Sequence, residues 1–310
     1  MDAKIWFFGT GGFAARCLEE LTSKGYAPSL VVTSPPSLAG RGMKTRISPV
    51  EAAATKLGRP LRHSAKVNRD DELLKLFDEE KPQLIFVIDF GQLIGEPWLS
   101  TPPCGCLNIH PSLLPSYRGA APVQRALMDG AAKTGVTLFR LVKKMDAGPV
   151  WVQGETEIGA EETAADLLER LAVLGCRLFA ENAEAILSGA APLREQDDSA
   201  ATVAPKIAKS EAKLDLSCPA QVLHDCVRGL FPAPGAWFSF RGKRVKVSST
   251  RVATRTGTKG TLFEKDGKLF IGTARECLEL VTVQPAGKKP MAASDWLKGL
   301  HLSAPEPIDD

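Results

Sequence analysis

No apolar stretch in this 310-residue sequence approaches the ~20 residues that a membrane-spanning helix needs. No signal-peptide pattern precedes the strand-like run that begins just after Met1-Asp2-Ala3-Lys4, so a soluble cytoplasmic protein is the expectation. The cysteines form no C-x-x-C pair: there are seven, an odd number, scattered at Cys17, Cys104, Cys106, Cys176, Cys218, Cys226 and Cys277. That pattern argues against a disulfide framework and a four-ligand zinc site. The four histidines, His63, His110, His224 and His301, show no ligand-like grouping, and no metal is expected. Internal repeats are absent. A dinucleotide fingerprint is missing too. Gly9-Thr10-Gly11-Gly12 follows an apolar run, but Ala14 stands where G-x-G-x-x-G needs its third glycine. The second apolar run, Val31-Val32-Thr33-Ser34, ends without a ribose-binding acid. What survives is a glycine turn whose backbone N–H groups face some polar or anionic group.

The length fits two domains better than one core. Apolar runs at 5–9, 30–33, 84–89 and 106–110 alternate with helical patterns at 13–21, 50–57, 70–80 and 123–129. That alternation predicts βαβ units and a Rossmann-like, mostly parallel sheet, in which strands buried on both faces read as continuous apolar runs. Strands are also predicted at 136–141 and 150–155, and a long amphipathic helix at 163–187. A polar, Gly/Pro-bearing stretch then reads as a linker over 190–207, between a domain at 1–189 and one at 208–310. Beyond one helix near 219–228, five short runs punctuated by Gly and charge predict a small OB-like β-barrel. Charge divides along the same line. From Lys206 onward 17 basic residues stand against 11 acidic ones, a balance of +6, whereas the preceding residues carry −3. Such asymmetry points to a polyanionic partner for the C-terminal part.

The most informative tripeptide is Asn108-Ile109-His110, at the C-terminal end of a predicted buried strand, where open α/β sheets bind ligands. Residues two apart on a strand share a face, so Asn108 and His110 aim at one point. The amide can donate to a developing oxyanion, and the imidazole exchanges protons near neutral pH. Three prolines then stiffen the loop Pro111–Pro122, as a binding wall requires. Asp146, 36 residues beyond His110 in a Gly/Pro turn, can orient the imidazole and raise its pKa.

The run Asn108–Pro122 closely resembles the signature of the tetrahydrofolate-dependent formyltransferases. The resemblance implies that Asn108, His110 and Asp146 are catalytic, and that Ser112, Leu113, Leu114 and Pro115 bind the folate. Phe8-Gly9-Thr10 with Phe13-Ala14-Ala15, the loop Ala39–Lys44 with Ser48-Pro49-Val50, the segment Lys206–Ala212 and the segment Gln284–Lys289 resemble the methionyl-tRNA formyltransferase family in particular. Together these stretches cover nearly the whole chain. That resemblance implies a formyltransferase fold, 10-formyltetrahydrofolate as co-substrate and initiator methionyl-tRNA as acceptor, in a monomer serving translation initiation. It places Arg41, Lys44, Arg46, Lys206, Lys209, Lys288 and Lys289 on the tRNA. The chain departs from the family pattern at Gly11-Gly12 (usually Pro-Asp), Asp89-Phe90 (usually Ala-Tyr), Ile94-Gly95 (usually Leu-Pro) and Ala233 (usually Trp). The alternatives are formyl transfer to another amine, such as an amino-sugar nucleotide, and a non-enzymatic RNA-binding relative.

Overall fold

The structure, a computed structural model, describes residues 4–39 and 44–309. The chain forms two compact units. One holds the chain up to Gly119, Lys133–Glu157 and Leu168–Val203; the other holds Ala120–Ala132, Ile158–Leu167 and the chain from Ala204 on.

Among the described residues the first unit has nine strands: β1 (Ile5–Gly9), β2 (Leu30–Thr33), β3 (Ser37–Ala39), β4 (Lys44–Arg46), β5 (Leu61–His63), β6 (Leu84–Ile88), β7 (Cys106–His110), β8 (Lys133–Arg140) and β9 (Val150–Glu157). Seven of them form one sheet in the order β5-β2-β1-β6-β7-β8-β9. The first five of that order run parallel, β8 runs against them, and β9 pairs antiparallel with β8. Every residue of β1, β2 and β6 is buried, which is why these strands read as unbroken apolar runs. Successive side chains alternate faces. Trp6 and Phe8 meet Trp98, and Trp6 meets Phe77. Phe7 and Phe86, facing the other way, meet each other, and Phe86 meets Phe179. Phe77 lies on α3 (Asp71–Glu80), which follows α1 (Gly12–Ser23) and α2 (Pro49–Lys56); Phe179 lies on the long α5 (Ala164–Leu187), which follows α4 (Pro122–Met128). Gly175 lets α5 approach the sheet closely, because a Cβ there would come within 2.4 Å of Ile109.

Two features differ from the sequence expectation. Strand β8 begins at Lys133, not residue 136, because its polar start pairs with the equally polar end of β9 (Lys133↔Glu157, Thr134↔Thr156). The stretch read as a linker is hydrogen-bonded along the first unit: Arg194 and Val150 exchange both backbone bonds, and Thr202 N donates to Pro115 O. Its polar composition reflects that bonding and not free chain.

In the second unit, β10 (Trp237–Phe240), β11 (Lys243–Ala253), β12 (Thr261–Lys265), β13 (Lys268–Gly272), β14 (Cys277–Pro285), β15 (Met291–Ala292) and β16 (Glu306–Pro307) form an antiparallel sheet in the order β10-β11-β14-β13-β12-β16, with β15 beside β14. Asp309 pairs back to Ser239 on β10, bringing the sheet close to a closed barrel. Its interior holds Phe238, Phe240, Val245, Val247, Leu262, Leu269 and Leu280. Against it lie α6 (Ala220–Gly229) and the short α7 (Ala293–Lys298).

A buried polar cluster on α6 fixes the segment that leads into α5. Arg228 donates to Asp225 at 2.8 Å and to the carbonyls of Gly159 and Glu162 at 3.0 and 3.2 Å. His224 bonds Thr250 at 3.0 Å and the Ala160 carbonyl at 3.2 Å. The Asp225 carboxylate is ion-paired with the Arg228 guanidinium, and both are buried. Asp225→Ala should therefore cost about 3 kcal/mol, as removing one member of a buried pair does. Urea unfolding monitored by tryptophan fluorescence measures this, and a midpoint unchanged from the parent would contradict it.

Candidate active site

Of the three residues expected to be catalytic, Asn108 and His110 lie toward the carboxyl end of parallel strand β7, and Asp146 lies in the turn after β8, with its carboxylate 4.0 Å from His110. Both Asn108 and His110 are on β7, as the apolar run required. The Asn108 amide donates to the Val87 carbonyl on neighbouring β6 at 2.8 Å. Its Oδ1 is buried and has no partner among the described residues. An unpaired buried acceptor costs on the order of 1–3 kcal/mol, so it marks a place built to meet a donor.

His110 is 5 % exposed, and its two ring nitrogens face different partners. Nε2 lies 3.0 Å from the Tyr117 carbonyl, which can only accept, so Nε2 carries a proton. Nδ1 lies 4.0 Å from Asp146 Oδ2. The same carboxylate oxygen accepts from Gly119 N at 2.8 Å. Burial pushes the His110 pKa below its ordinary 6.5, and this outweighs the opposing pull of Asp146 and of the Tyr117 carbonyl. The resting imidazole is therefore neutral at pH 7, with its Nδ1 lone pair on the Asp146 side. The upward pull expected from Asp146 is present but is outweighed by burial. Tyr117 and Asp146 both sit in the left-handed backbone region, at φ 59° and 49°. Such conformations cost on the order of 1–3 kcal/mol and persist only where surrounding structure enforces them.

The Pro111–Pro122 loop is held rigidly, and its side chains divide in use. Ser112 is fully buried and donates to the Ser116 carbonyl. Leu114 is buried against Phe139 and Val150, while its N–H donates to Thr137 Oγ1 and its carbonyl accepts from Gln153. Leu113 packs on Gly135, where a Cβ would stand 2.5 Å from its methyl. Of the four residues expected on the folate, Ser112 and Leu114 hold the loop's shape, while Leu113 and Pro115 remain partly exposed. A cavity of about 580 Å³ opens beside the Asp146 turn, with Leu99, Leu141 and Val142 on its apolar side and Glu96, Arg140 and Lys143 among its charged groups.

The glycine turn after β1 has a partner that sequence reasoning missed. The Asp89 carbonyl accepts from Thr10 N and Gly11 N at 3.0 and 3.1 Å, and the Asp89 carboxylate accepts from Phe13 N. Helix α1 has no side-chain cap at Gly11 and no acid in its first turn, so Asp89 supplies both from across the sheet end. The carboxylate touches solvent, but the protein crowded around it pushes its pKa up to about 6. Its Oδ2 lies 1.7 Å from where a Cβ on residue 11 would stand. Gly11 and Asp89 are thus one structural unit. The available signal was an acid closing the buried run Leu84–Ile88.

The candidate RNA-facing lysines of the second unit, Lys206, Lys209, Lys288 and Lys289, are all exposed. Lys288 and Lys289 follow β14 in a turn that Ala286 N ties to Arg244 O at 3.0 Å. Arg244 lies over the Trp237 ring at 3.8 Å, and Lys246 stands opposite both Trp237 and Gln284. In the first unit Arg46 is exposed and pairs through its backbone with Ser37, and Lys44 pairs likewise with Ala39. Arg41 lies outside the described residues. Among the described residues no His, Cys, Asp and Glu side chains group as a metal site, and no helix is long and apolar enough to cross a membrane.

A mostly parallel sheet that carries Asn108 and a buried His110 on β7, with Asp146 in the β8–β9 turn, followed in the chain by an antiparallel near-barrel, fits a formyl transferase: residues 3–182 match the formyl transferase family and residues 206–301 its C-terminal domain. The chain belongs to the formyltransferase family. It is 40% identical to a methionyl-tRNA formyltransferase of Methylobacterium sp. (strain 4-46) over 97% of this chain and 98% of that one. The methionyl-tRNA formyltransferase of Roseobacter denitrificans is also 40% identical, over 96% of this chain and 95% of its own. Among solved structures, a sugar 3N-formyl transferase in the presence of dTDP and 5-N-formyl-THF shares the fold at TM-score 0.66 and 18% identity, covering 93% of this chain and 100% of that one. A Helicobacter canadensis N-formyltransferase does so at TM-score 0.66 and 16% identity, covering 90% and 98%.

Gly11→Ala should destabilise the first unit, because the new methyl meets the Asp89 carboxylate. Gly11→Ala combined with Asp89→Ala should recover part of the loss. Thermal unfolding of the parent, the two single variants and the double variant tests this, and strictly additive effects would show that the two residues do not share the space.

Proposed function

We propose that this protein transfers the formyl group of 10-formyltetrahydrofolate to the α-amino group of methionyl initiator tRNA, with Asn108, His110 and Asp146 as its catalytic residues. The observation that carries the reading is the buried imidazole of His110, held with Nδ1 4.0 Å from Asp146 on the same strand as the unpaired Oδ1 of Asn108. Relatives of the same length and 40% identity bear the name methionyl-tRNA formyltransferase, which supports tRNA as acceptor over an amino-sugar nucleotide.

The chemistry is acyl transfer to an amine. Asn108 Oδ1 receives an N–H of the attacking amine, and the remaining amide N–H of Asn108 meets negative charge as it develops on the formyl oxygen. His110 takes the amine's proton at Nδ1. Asp146 then stabilises the imidazolium, and the proton passes to the departing folate nitrogen. No covalent bond to the protein is needed. The folate occupies the cavity by the Asp146 turn, where the leucines suit a flat ring and Arg140 and Lys143 suit an anionic tail. Leu113 and Pro115 form the adjoining wall, with Ser112 and Leu114 bracing it. The exposed lysines Lys206, Lys209, Lys288 and Lys289, with Arg41, Lys44 and Arg46 from the first unit, meet the tRNA backbone, and phosphate contacts of this kind position without specifying. The protein acts in the cytoplasm as a monomer.

The direct test offers 10-formyltetrahydrofolate, labelled in its formyl group, with charged initiator tRNA or an amino-sugar nucleotide. Label in the aminoacyl product is expected; label in the sugar alone, or only in free formate, would overturn the reading. Asn108→Ala and His110→Ala should each lower kcat by ~10²–10³-fold with the fold intact. Activity should decline as pH falls through the His110 pKa, which lies below 6.5, because protonation removes the acceptor at Nδ1. A pH profile whose acid limb does not follow the His110 titration read by NMR in the same protein would exclude His110 as the proton acceptor. Lys288→Ala and Lys289→Ala should flatten the dependence of log K on log salt by about 0.7–0.9 for each phosphate left without its lysine. An unchanged slope would take these lysines off the tRNA.

A further inference from the structure

One side chain outside the expected catalytic set bonds both the Asp146 turn and Arg118, the neighbour in sequence of the Tyr117 whose carbonyl meets His110. Gln196 Nε2 donates to the carbonyls of Asp146 and Gly148, at 2.9 and 2.7 Å. Its Oε1 accepts from Arg118 Nε and Nη2, at 3.1 and 2.7 Å. Arg118 directly follows Tyr117, the residue whose carbonyl receives His110 Nε2. The amide orientation is fixed chemically: carbonyls only accept and a guanidinium only donates. Arg118 is itself buried and is anchored further, through Nη1 to Asp198 at 2.7 Å and through its backbone N to Thr202 O at 2.9 Å.

We infer that Gln196 is a positioning residue that sets the distance between His110 and Asp146, by joining the Asp146 turn to the chain at Tyr117–Arg118. The inference rests on the formyl-transfer reading for its link to catalysis, but not for its geometry. Asp146 and Tyr117 both hold left-handed backbone, so each needs outside bonds to stay in place. The turn is also cramped. A Cβ on Gly148 would fall 1.8 Å from the Arg140 carbonyl, so this stretch of backbone has little room in which to find another arrangement. At 4.0 Å the Nδ1–Asp146 separation is already longer than a hydrogen bond, and further drift would weaken stabilisation of the imidazolium. Only a side chain that donates at one end and accepts at the other satisfies both neighbours. A carboxylate would keep Arg118 and repel the two carbonyls, and an alkyl group would release both.

Gln196 lies between Arg194, which pairs with β9, and Thr202, which pairs with Pro115 and Arg118. The segment that continues into the C-terminal unit thus carries, along its own length, the bonds that fix the Asp146 turn.

The test uses the full chain with Gln196→Leu and Gln196→Glu. In Gln196→Leu, the loss of the link should lower the His110 pKa by NMR titration relative to the parent, since Asp146 drifts away. The same variant should lower kcat about 10- to 100-fold, as small misplacements of catalytic groups do, with KM for charged tRNA unchanged. Gln196→Glu keeps the Arg118 pair and so guards against simple unfolding. It should lose kcat to a similar extent, because it cannot donate to the two carbonyls. A Gln196→Glu enzyme with parental kcat, or a Gln196→Leu protein with an unmoved His110 pKa, would overturn the inference. If the parent transfers no formyl group to tRNA, the formyl-transfer reading fails instead, and the His110 titration still decides whether Gln196 positions the pair.

Discussion

The site depends on keeping a buried imidazole neutral yet ready to become charged. Burial alone would leave His110 a poor proton acceptor, since an imidazolium without water around it is costly. Asp146 offsets that cost from 4.0 Å away, and the Tyr117 carbonyl fixes which nitrogen already holds a proton. The rest of the first unit serves this arrangement. Parallel strands buried on both faces carry Asn108 and His110 to the sheet's carboxyl end. A loop braced through Ser112, Thr137 and Gln153 supplies Tyr117 and Gly119. A cramped glycine turn supplies Asp146.

How much of this was legible follows from how local each determinant is. Strands β1, β2 and β6 announced themselves because a strand covered on both faces has no polar register to interrupt it. Asn108 and His110 followed from the two-residue period, and Asp146 from its Gly/Pro turn. The Gly11–Asp89 pair was visible only as two unrelated departures from the family pattern. Nothing in either segment says that the carboxylate of one fills the space beside the other. Gln196 was hidden for the same reason, within a stretch whose polarity reads as free linker when its polar atoms in fact bond to the Asp146 turn and the Pro111–Pro122 loop. The hairpin of β3 and β4 and the two-residue β16 carry too few side chains to leave a periodic signal. Likewise, Ala120–Ala132 belongs with the C-terminal unit, through partners far off in sequence.

The two units handle charge in opposite ways. In the first, the decisive charged groups are sheltered, and each acts through one or two defined partners. In the second, the cluster of His224, Asp225 and Arg228 is buried, while the lysines expected on RNA stand in water. A sheltered group gives direction and timing to a proton. An exposed one gives reach toward a phosphate backbone and is screened by salt.

The central claim is the protonation state of His110, and ¹⁵N chemical shifts of its ring nitrogens measured across pH test it most directly. At pH 7 the ring should be neutral and protonated at Nε2 alone, charging only below pH 6.5 and at still lower pH in Asp146→Asn. A ring already charged at pH 7, or neutral with its proton on Nδ1, would contradict it.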